Sequence, residues 1–195
     1  MPLMHDKPTL RQHMRGRLRA MEESARRSAA ERIAGHILHR CDQSDASFCI
    51  SLFGGLKNEP DFLPLVLPEI VAAASCAAFF QIEGNELRPR QVRSMDDLQR
   101  GAMNVWEPKA HCPSVPVSSL DIILVPGLAF TRGGLRLGRG GGFYDRLLAH
   151  PDCRARRIGI AYDLQIIGDI PCEPHDQRVH QIITETGLID ASPNG

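Results

Sequence analysis

The chain has 195 residues, 43% hydrophobic and 24% charged, with 23 basic side chains balanced by 23 acidic ones. That length fits one domain or a small pair, with enough chain for a substantial core. A formal net charge of zero argues against general nucleic-acid binding, which needs a basic excess, and the lack of any apolar run near 18 residues predicts no membrane-spanning helix.

The residues Met1 to Lys7 contain no long apolar stretch, so no secretory signal is expected. Six cysteines stand at 41, 49, 76, 112, 153 and 172. None forms a Cys-x-x-Cys pair, and several have apolar neighbours. They read as reduced, buried thiols of a cytoplasmic protein. Three lysines occur, Lys7, Lys57 and Lys109, which makes each one conspicuous.

Thr9-Leu10-Arg11-Gln12 has the form of a helix-capping box after Pro8. Leu10, Met14, Leu18 and Met21 follow at helical spacing, predicting a helix over 9–20. Lys7 and Arg11 are four apart at its start, either as a solvated helix end or as cations sharing one side. A second helix is expected over 23–40, where Ala25, Ala29, Ile33 and Ile37 mark one face and Ser28 to Glu31 offers a restart. A turn at 42–45 leads to a strand over 47–53. Gly54 to Glu59 forms the next loop, placing Glu59 just past the carboxyl end of a strand, where open α/β sheets bind ligands.

A short helix is expected over 62–70, a small-residue strand over 71–80 and a hairpin return over 85–90. Residues 96–100 read as a turn of helix. Trp106, the only tryptophan, reads either as core or as a stacking surface for a flat ligand. Asp121 to Gly127 holds a near-continuous aliphatic run, the mark of a central parallel strand. Further strands are expected over 156–162 and 181–185, the latter as the last, with an irregular loop over 171–176. Strands alternating with helices predict an α/β fold, a three-layer α/β/α sandwich with a largely parallel sheet, in one domain over 1–195.

The most informative stretch is Arg136-Leu137-Gly138-Arg139-Gly140-Gly141-Gly142-Phe143-Tyr144-Asp145. Bare main-chain N–H groups in such a run can turn inward around an anion. Arg136 and Arg139 can fork onto phosphate oxygens. The helix expected to open at Phe143 adds a favourable dipole, and Asp145 is a hard oxygen ligand suited to Mg²⁺ beside that anion. The stretch is neither a P-loop, having no Lys, nor Gly-x-Gly-x-x-Gly, because Phe143 takes the last position. His175 and His180, five apart and without a suitably spaced Cys, are not expected to bind zinc. The arginines at 154, 156 and 157 read as a solvated turn.

Several separated pieces resemble one family, the 5-formyltetrahydrofolate cyclo-ligases. They are Lys7-x-x-x-Arg11, the strand and loop ending at Glu59, Glu107-Pro108, Val125 to Phe130, Arg136 to Asp145, Gly159 to Tyr162, and Pro171-x-Glu173-x-His175-Asp176 leading to Ile183-Thr184-Glu185. The resemblance implies a fold similar to ribose-phosphate isomerases and CoA transferases. It also implies ATP- and Mg²⁺-dependent closure of 5-formyltetrahydrofolate to 5,10-methenyltetrahydrofolate, by phosphorylation of the formyl oxygen, in a cytoplasmic monomer or weak dimer.

Carried over by position, Lys7, Arg11 and Arg136 to Tyr144 (Arg136, Leu137, Gly138, Arg139, Gly140, Gly141, Gly142, Phe143, Tyr144) are the expected ATP ligands. Gly54, Glu59 and Arg139 to Phe143 form the expected folate site, to which Trp106 is added not by position but as a stacking surface for the flat folate. Asp145 and Asp176 are the expected metal ligands, and Arg139 and Tyr144 the expected catalytic groups, with Tyr144 reading equally as a residue that packs the loop at the helix start. Two departures stand out: Phe143 replaces a tyrosine common in that family, and His180 replaces an aspartate. They leave open an alternative, a non-catalytic folate- or nucleotide-binding relative that senses or sequesters its ligand.

Overall fold

The computed structural model describes residues 6–42, 47–101 and 103–191; most of the turn expected at 42–45 lies outside them. Helix α1 (Lys7–Ala20) begins earlier than the capping pattern implied. Its cap is Asp6, whose side chain accepts from the Thr9 N–H at 2.8 Å, and Pro8 fits inside the first turn, where no N–H is required of it. Helix α2 (Glu23–Asp42) runs without a restart at Ser28. Strand β1 (Cys49–Ser51) is shorter than expected. Helix α3 (Leu63–Ala72) is followed by β2 (Cys76–Glu83) and β3 (Glu86–Val92). The residues around 71 therefore finish a helix rather than start a strand.

The helical turn expected at 96–100 is a single 3₁₀ turn, Met95–Asp97, followed by β4 (Leu98–Arg100), which pairs with β5 (Trp106–Pro108). Strand β6 (Ile122–Pro126) is fully aliphatic before its proline, and β7 (Ala129–Phe130) and β8 (Arg136–Leu137) form a small hairpin. Helix α4 (Phe143–Leu148) and strands β9 (Arg156–Ile160), β10 (Gln181–Thr184) and β11 (Gly187–Asp190) complete the elements among the described residues. Strand β10 is thus not the last; Gly187, at φ 135°, opens the antiparallel return.

The main sheet has seven strands in the order β11-β10-β9-β6-β1-β2-β3. Its five inner strands are parallel, and β3 and β11 are antiparallel edges. Alternation along each strand divides the core into two. Ile50, Phe79, Leu124 and Ile160 share one cluster with Leu10, Met14, Ile33 and Leu63 of α1, α2 and α3. Ala78, Phe80, Ile123 and Val125 share the other with Leu147 and Leu148 of α4. The sandwich is therefore three-layered, with one thick helical side and one thin side of loops and a short helix.

Connections from β1 run to β2 on one side, whereas β6 lies on the other. The strand order reverses between β1 and β6, and a ligand crevice is expected outside their carboxyl ends. The loop after β1 carries Glu59; the hairpin after β6 delivers the glycine run.

Candidate functional site

Helix α1 has two working faces. Leu10, Met14 and Leu18 are buried. Lys7, Arg11 and Arg15, also four apart, reach the crevice side. Arg11 Nε donates to the Gly138 carbonyl at 3.0 Å, and Arg15 Nη2 to the Arg139 carbonyl at 3.4 Å. Lys7 Nζ meets both Asp176 oxygens at 2.9 and 2.7 Å and Glu173 at 3.2 Å. Cations at i, i+4 and i+8 thus track one side of the helix and pin the glycine loop to the 173–176 loop.

The loop itself needs glycine where its backbone turns left-handed: φ is 108° at Gly140 and 67° at Gly142, conformations that favour a residue without Cβ. Among the described residues, none accepts a hydrogen bond from the main-chain N–H groups of 138–142. Five successive donors without protein acceptors, beside four cationic side chains, fit an anion with several oxygens. Leu137 differs from its neighbours in the run. Its side chain is 1% exposed and part of the core, so it spaces the loop and presents no side chain to a ligand.

Three ion pairs organise the crevice. Arg139 Nη2 and Nε donate to Glu59 Oε1 at 2.9 and 3.2 Å. Arg136 Nη2 donates to Asp145 Oδ1 at 2.7 Å and its Nη1 to the Pro126 carbonyl. Lys7 and Asp176 form the third. Burial raises the Glu59 carboxyl pKa, against the pull of Arg139. Burial also acts upward on Asp176, but hydrogen bonds from Lys7 and the Glu173 N–H outweigh it and hold the carboxyl low. Lys7 is the mirror case, lowered by burial but raised overall by Asp176 and Glu173.

Asp145 and Asp176 are neighbours in space, since the Gln177 N–H following Asp176 donates to Asp145 Oδ1 at 3.4 Å. Two carboxylates beside an anion cradle, with no soft ligand in the pair, suit Mg²⁺, which uses one or two protein carboxylates and completes its shell with phosphate and water. The same pair is a poor zinc site. His180 does not join it: its Nδ1 accepts from the Arg157 N–H, and burial with Arg157 and Arg156 lowers its pKa. Arg157 is itself no solvated turn residue, because its guanidinium binds the Leu148 carbonyl at 2.7 Å and Gln177 Oε1 at 3.2 Å.

The aromatic residues divide. Tyr144 packs edge-on to Phe80, with Arg136 over its ring at 5.8 Å. Burial raises its phenol, Glu59 adds to the rise and Arg136 opposes it, so the hydroxyl stays protonated. Phe143 carries the Arg146 guanidinium at 5.1 Å. Trp106 adjoins the crevice, its main-chain N–H donating to the Gly54 carbonyl. The Arg100 guanidinium lies 3.9 Å from its ring centre, so one face is already covered and only a single face is left for a flat ligand.

Contacts not anticipated from sequence include Arg15, Glu173 and Tyr162, whose hydroxyl donates to the Glu59 main-chain carbonyl at 3.2 Å. Arg15 was legible as the next i+4 step after Lys7 and Arg11. Of the thiols, Cys172 is exposed and Cys76 half-buried, against the expectation of burial. A cavity of about 910 Å³ lies elsewhere, lined by Thr131, Arg132, Asp163, Arg178 and Thr186 among others. It contains none of the glycine run, Glu59 or Lys7. The convergent charge at the switch point, rather than volume, locates the candidate site.

Comparison with known proteins agrees with this geometry. The sequence pattern of the 5-formyltetrahydrofolate cyclo-ligase family matches residues 3–185. The mitochondrial 5-formyltetrahydrofolate cyclo-ligase of Arabidopsis thaliana is 27% identical over 98% of this chain and 78% of its own. The Mus musculus cyclo-ligase is 27% identical over 90% and 92%. The Mycolicibacterium smegmatis protein reaches 43%, over 40% of either chain. The solved 5,10-methenyltetrahydrofolate synthetase of Aquifex aeolicus superposes with a TM-score of 0.81 at 28% identity, covering 95% of this chain and 92% of that one. With the match spanning the helix that bears Lys7 and Arg11, the glycine loop and the Asp176 loop, the chain belongs to the 5-formyltetrahydrofolate cyclo-ligase family.

Proposed function

We propose that the protein, as one domain, converts 5-formyltetrahydrofolate and ATP into 5,10-methenyltetrahydrofolate, ADP and phosphate, with Mg²⁺ required but not consumed. The observation carrying this reading is the row of acceptor-less N–H groups at 138–142, framed by Lys7, Arg11, Arg136 and Arg139 and set against buried Glu59. ATP lies with its phosphates on that row. Arg11, on α1, and Arg136, 8% exposed, fix the cradle. Lys7 turns from Asp176 to a phosphate oxygen. Asp145 and Asp176 hold Mg²⁺, which supplies charge neutralisation on the phosphates.

The folate occupies the side nearer Gly54, Glu59 and Phe143. Glu59 accepts hydrogen bonds from pterin N–H groups, and Tyr162 and Arg139 hold it in place. The formyl oxygen attacks the γ-phosphorus and ADP departs. The N10 lone pair then adds to the activated carbon, its proton passes to solvent, and phosphate leaves with the former formyl oxygen. The residues here contribute position and charge rather than a covalent intermediate. Arg139 lies where charge on the transferring group is greatest, and protonated Tyr144 stays a donor.

The test is incubation of the purified protein with 5-formyltetrahydrofolate and Mg-ATP. Methenyl absorbance and ADP should appear in equal amounts, and chelation of Mg²⁺ should stop both. Folded protein that binds both ligands without turnover would instead select the non-catalytic alternative, favoured by Phe143 and by the three ion pairs that neutralise the charged side chains of the crevice without a ligand. We further propose a cytoplasmic monomer or weak dimer with no nucleic-acid partner. Among the described residues no helix is long and apolar enough to cross a membrane.

A further inference from the structure

We propose that Asp97, His111 and Cys112 bind a thiophilic divalent cation of the Zn²⁺ class, separate from the Mg²⁺ carboxylates. One ligand atom from each side chain lies within 4.8 Å of the other two. His111 Nε2 is 3.0 Å from Asp97 Oδ1, and Cys112 Sγ is 3.6 Å from the Asp97 carbonyl. Imidazole, thiolate and carboxylate together match zinc rather than magnesium. Tetrahedral bonds of about 2.0–2.3 Å put ligand atoms roughly 3.3–3.8 Å apart, so closure needs about 1 Å of adjustment. His111, 64% exposed, can supply it, while buried Cys112 and half-buried Asp97 form the fixed side.

The backbone already wraps this point. Lys109 N–H donates to the Asp97 carbonyl, and Cys112 N–H to that of Lys109. Asp97 Oδ2 caps the preceding turn through Arg93 and Ser94, which leaves Oδ1 facing His111. Solvent on the His111 side provides the fourth ligand. Binding exchanges the Cys112 S–H proton for the metal and releases it to water. The cation would clip the 3₁₀ turn before β4 to the turn after β5. That ribbon braces the crevice, with Arg100 Nη1 donating to the Gly55 carbonyl at 2.6 Å.

The experiment uses full-length Cys172→Ser protein, which removes the exposed competing thiol, and titrates Co²⁺ as a spectroscopic probe for zinc. One equivalent should bind with a thiolate-to-cobalt charge-transfer band, displaced by Zn²⁺ and not by Mg²⁺, and the melting temperature should rise. His111→Gln, at an exposed position that leaves the core intact, should weaken binding by more than the about 10- to 100-fold typical of losing an outer-shell partner. Cys112→Ser should abolish the band. Folded protein without the band, a band surviving Cys112→Ser, or unchanged cobalt affinity in His111→Gln overturns the proposal.

Discussion

Replacing Arg139 by alanine removes the guanidinium partner of Glu59, a residue only 8% exposed in the native protein. Removing one member of a fully buried pair costs about 3–5 kcal/mol. Arg139 is itself 36% exposed, so solvent screens the pair, and roughly 1–3 kcal/mol is expected. At about 2–4 °C per kcal/mol for a chain of this size, the melting point should fall visibly. The penalty is pH-dependent. Burial already raises the Glu59 pKa, and loss of Arg139 raises it further. A folded-state pKa above the unfolded value of about 4.3 means the native state holds the proton more tightly, so stability falls as pH rises through that window. The Arg139→Ala penalty should therefore be small near the unfolded Glu pKa and full well above it.

Glu59→Gln removes the buried charge while keeping the shape. In that background, Arg139→Ala should cost less than about 1 kcal/mol, the range of a partly exposed contact. Urea denaturation of the four proteins at the two pH extremes measures the coupling directly. An Arg139→Ala penalty equal in both backgrounds and at both pH values would refute the claim that electrostatic compensation of Glu59 holds this part of the crevice. Turnover should fall in all three variants, since a carboxylate that weakens the fold is retained for what it binds.

Lys7→Met removes one charge-assisted contact and should weaken ATP binding about 10- to 100-fold, equivalent to about 1.5–3 kcal/mol, as read by calorimetry. Gly140→Ala forces an alanine to φ 108° and should cost about 1–3 kcal/mol together with most turnover; unchanged activity would mean that the loop conformation is irrelevant. Arg154→Ala, at an exposed position, should leave turnover near wild type while Arg139→Ala does not, and equal effects would break the assignment of Arg139. Asp176 has a lowered pKa, so its contribution is present above the unfolded value of about 3.9 and lost as pH falls through the folded one; Lys7→Met should flatten that acid limb in a denaturation series.

What was legible in the sequence was local. The glycine run announces an anion cradle because bare N–H groups, arginines and a carboxylate lie within ten residues. The aliphatic run at 122–125 announces a central strand for the same reason. Boundaries failed where the pattern was ambiguous over a few residues: α3 runs on through half-buried Val71, which packs against the core, to exposed Ala72, residues equally suited to a strand, and Asp6 outcompeted Thr9 as a cap. The pairings that make the site are long-range, with Lys7 and Asp176 separated by 169 positions and Glu59 and Arg139 by 80. No periodicity records such separations, and the family resemblance rather than spacing brought those residues together.

The zinc-class cluster shows the same limit from the opposite side. Cysteine and histidine spacing directed attention to His175 and His180, which the fold sends to different partners. Asp97 lies 14 positions before His111, on a turn expected to be helical. Only the 3₁₀ turn, the β4–β5 ribbon and the Lys109–Cys112 turn together return the chain to the same point. A ligand set assembled by two turns of different kinds has no sequence period, so its detection depends on the backbone hydrogen bonds at Asp97 and Lys109. Weakening those bonds while keeping all three side chains should therefore reduce cobalt affinity. A Lys109→Pro variant deletes the N–H that binds the Asp97 carbonyl, and retained affinity in that variant would show that the turns do not preorganise the site.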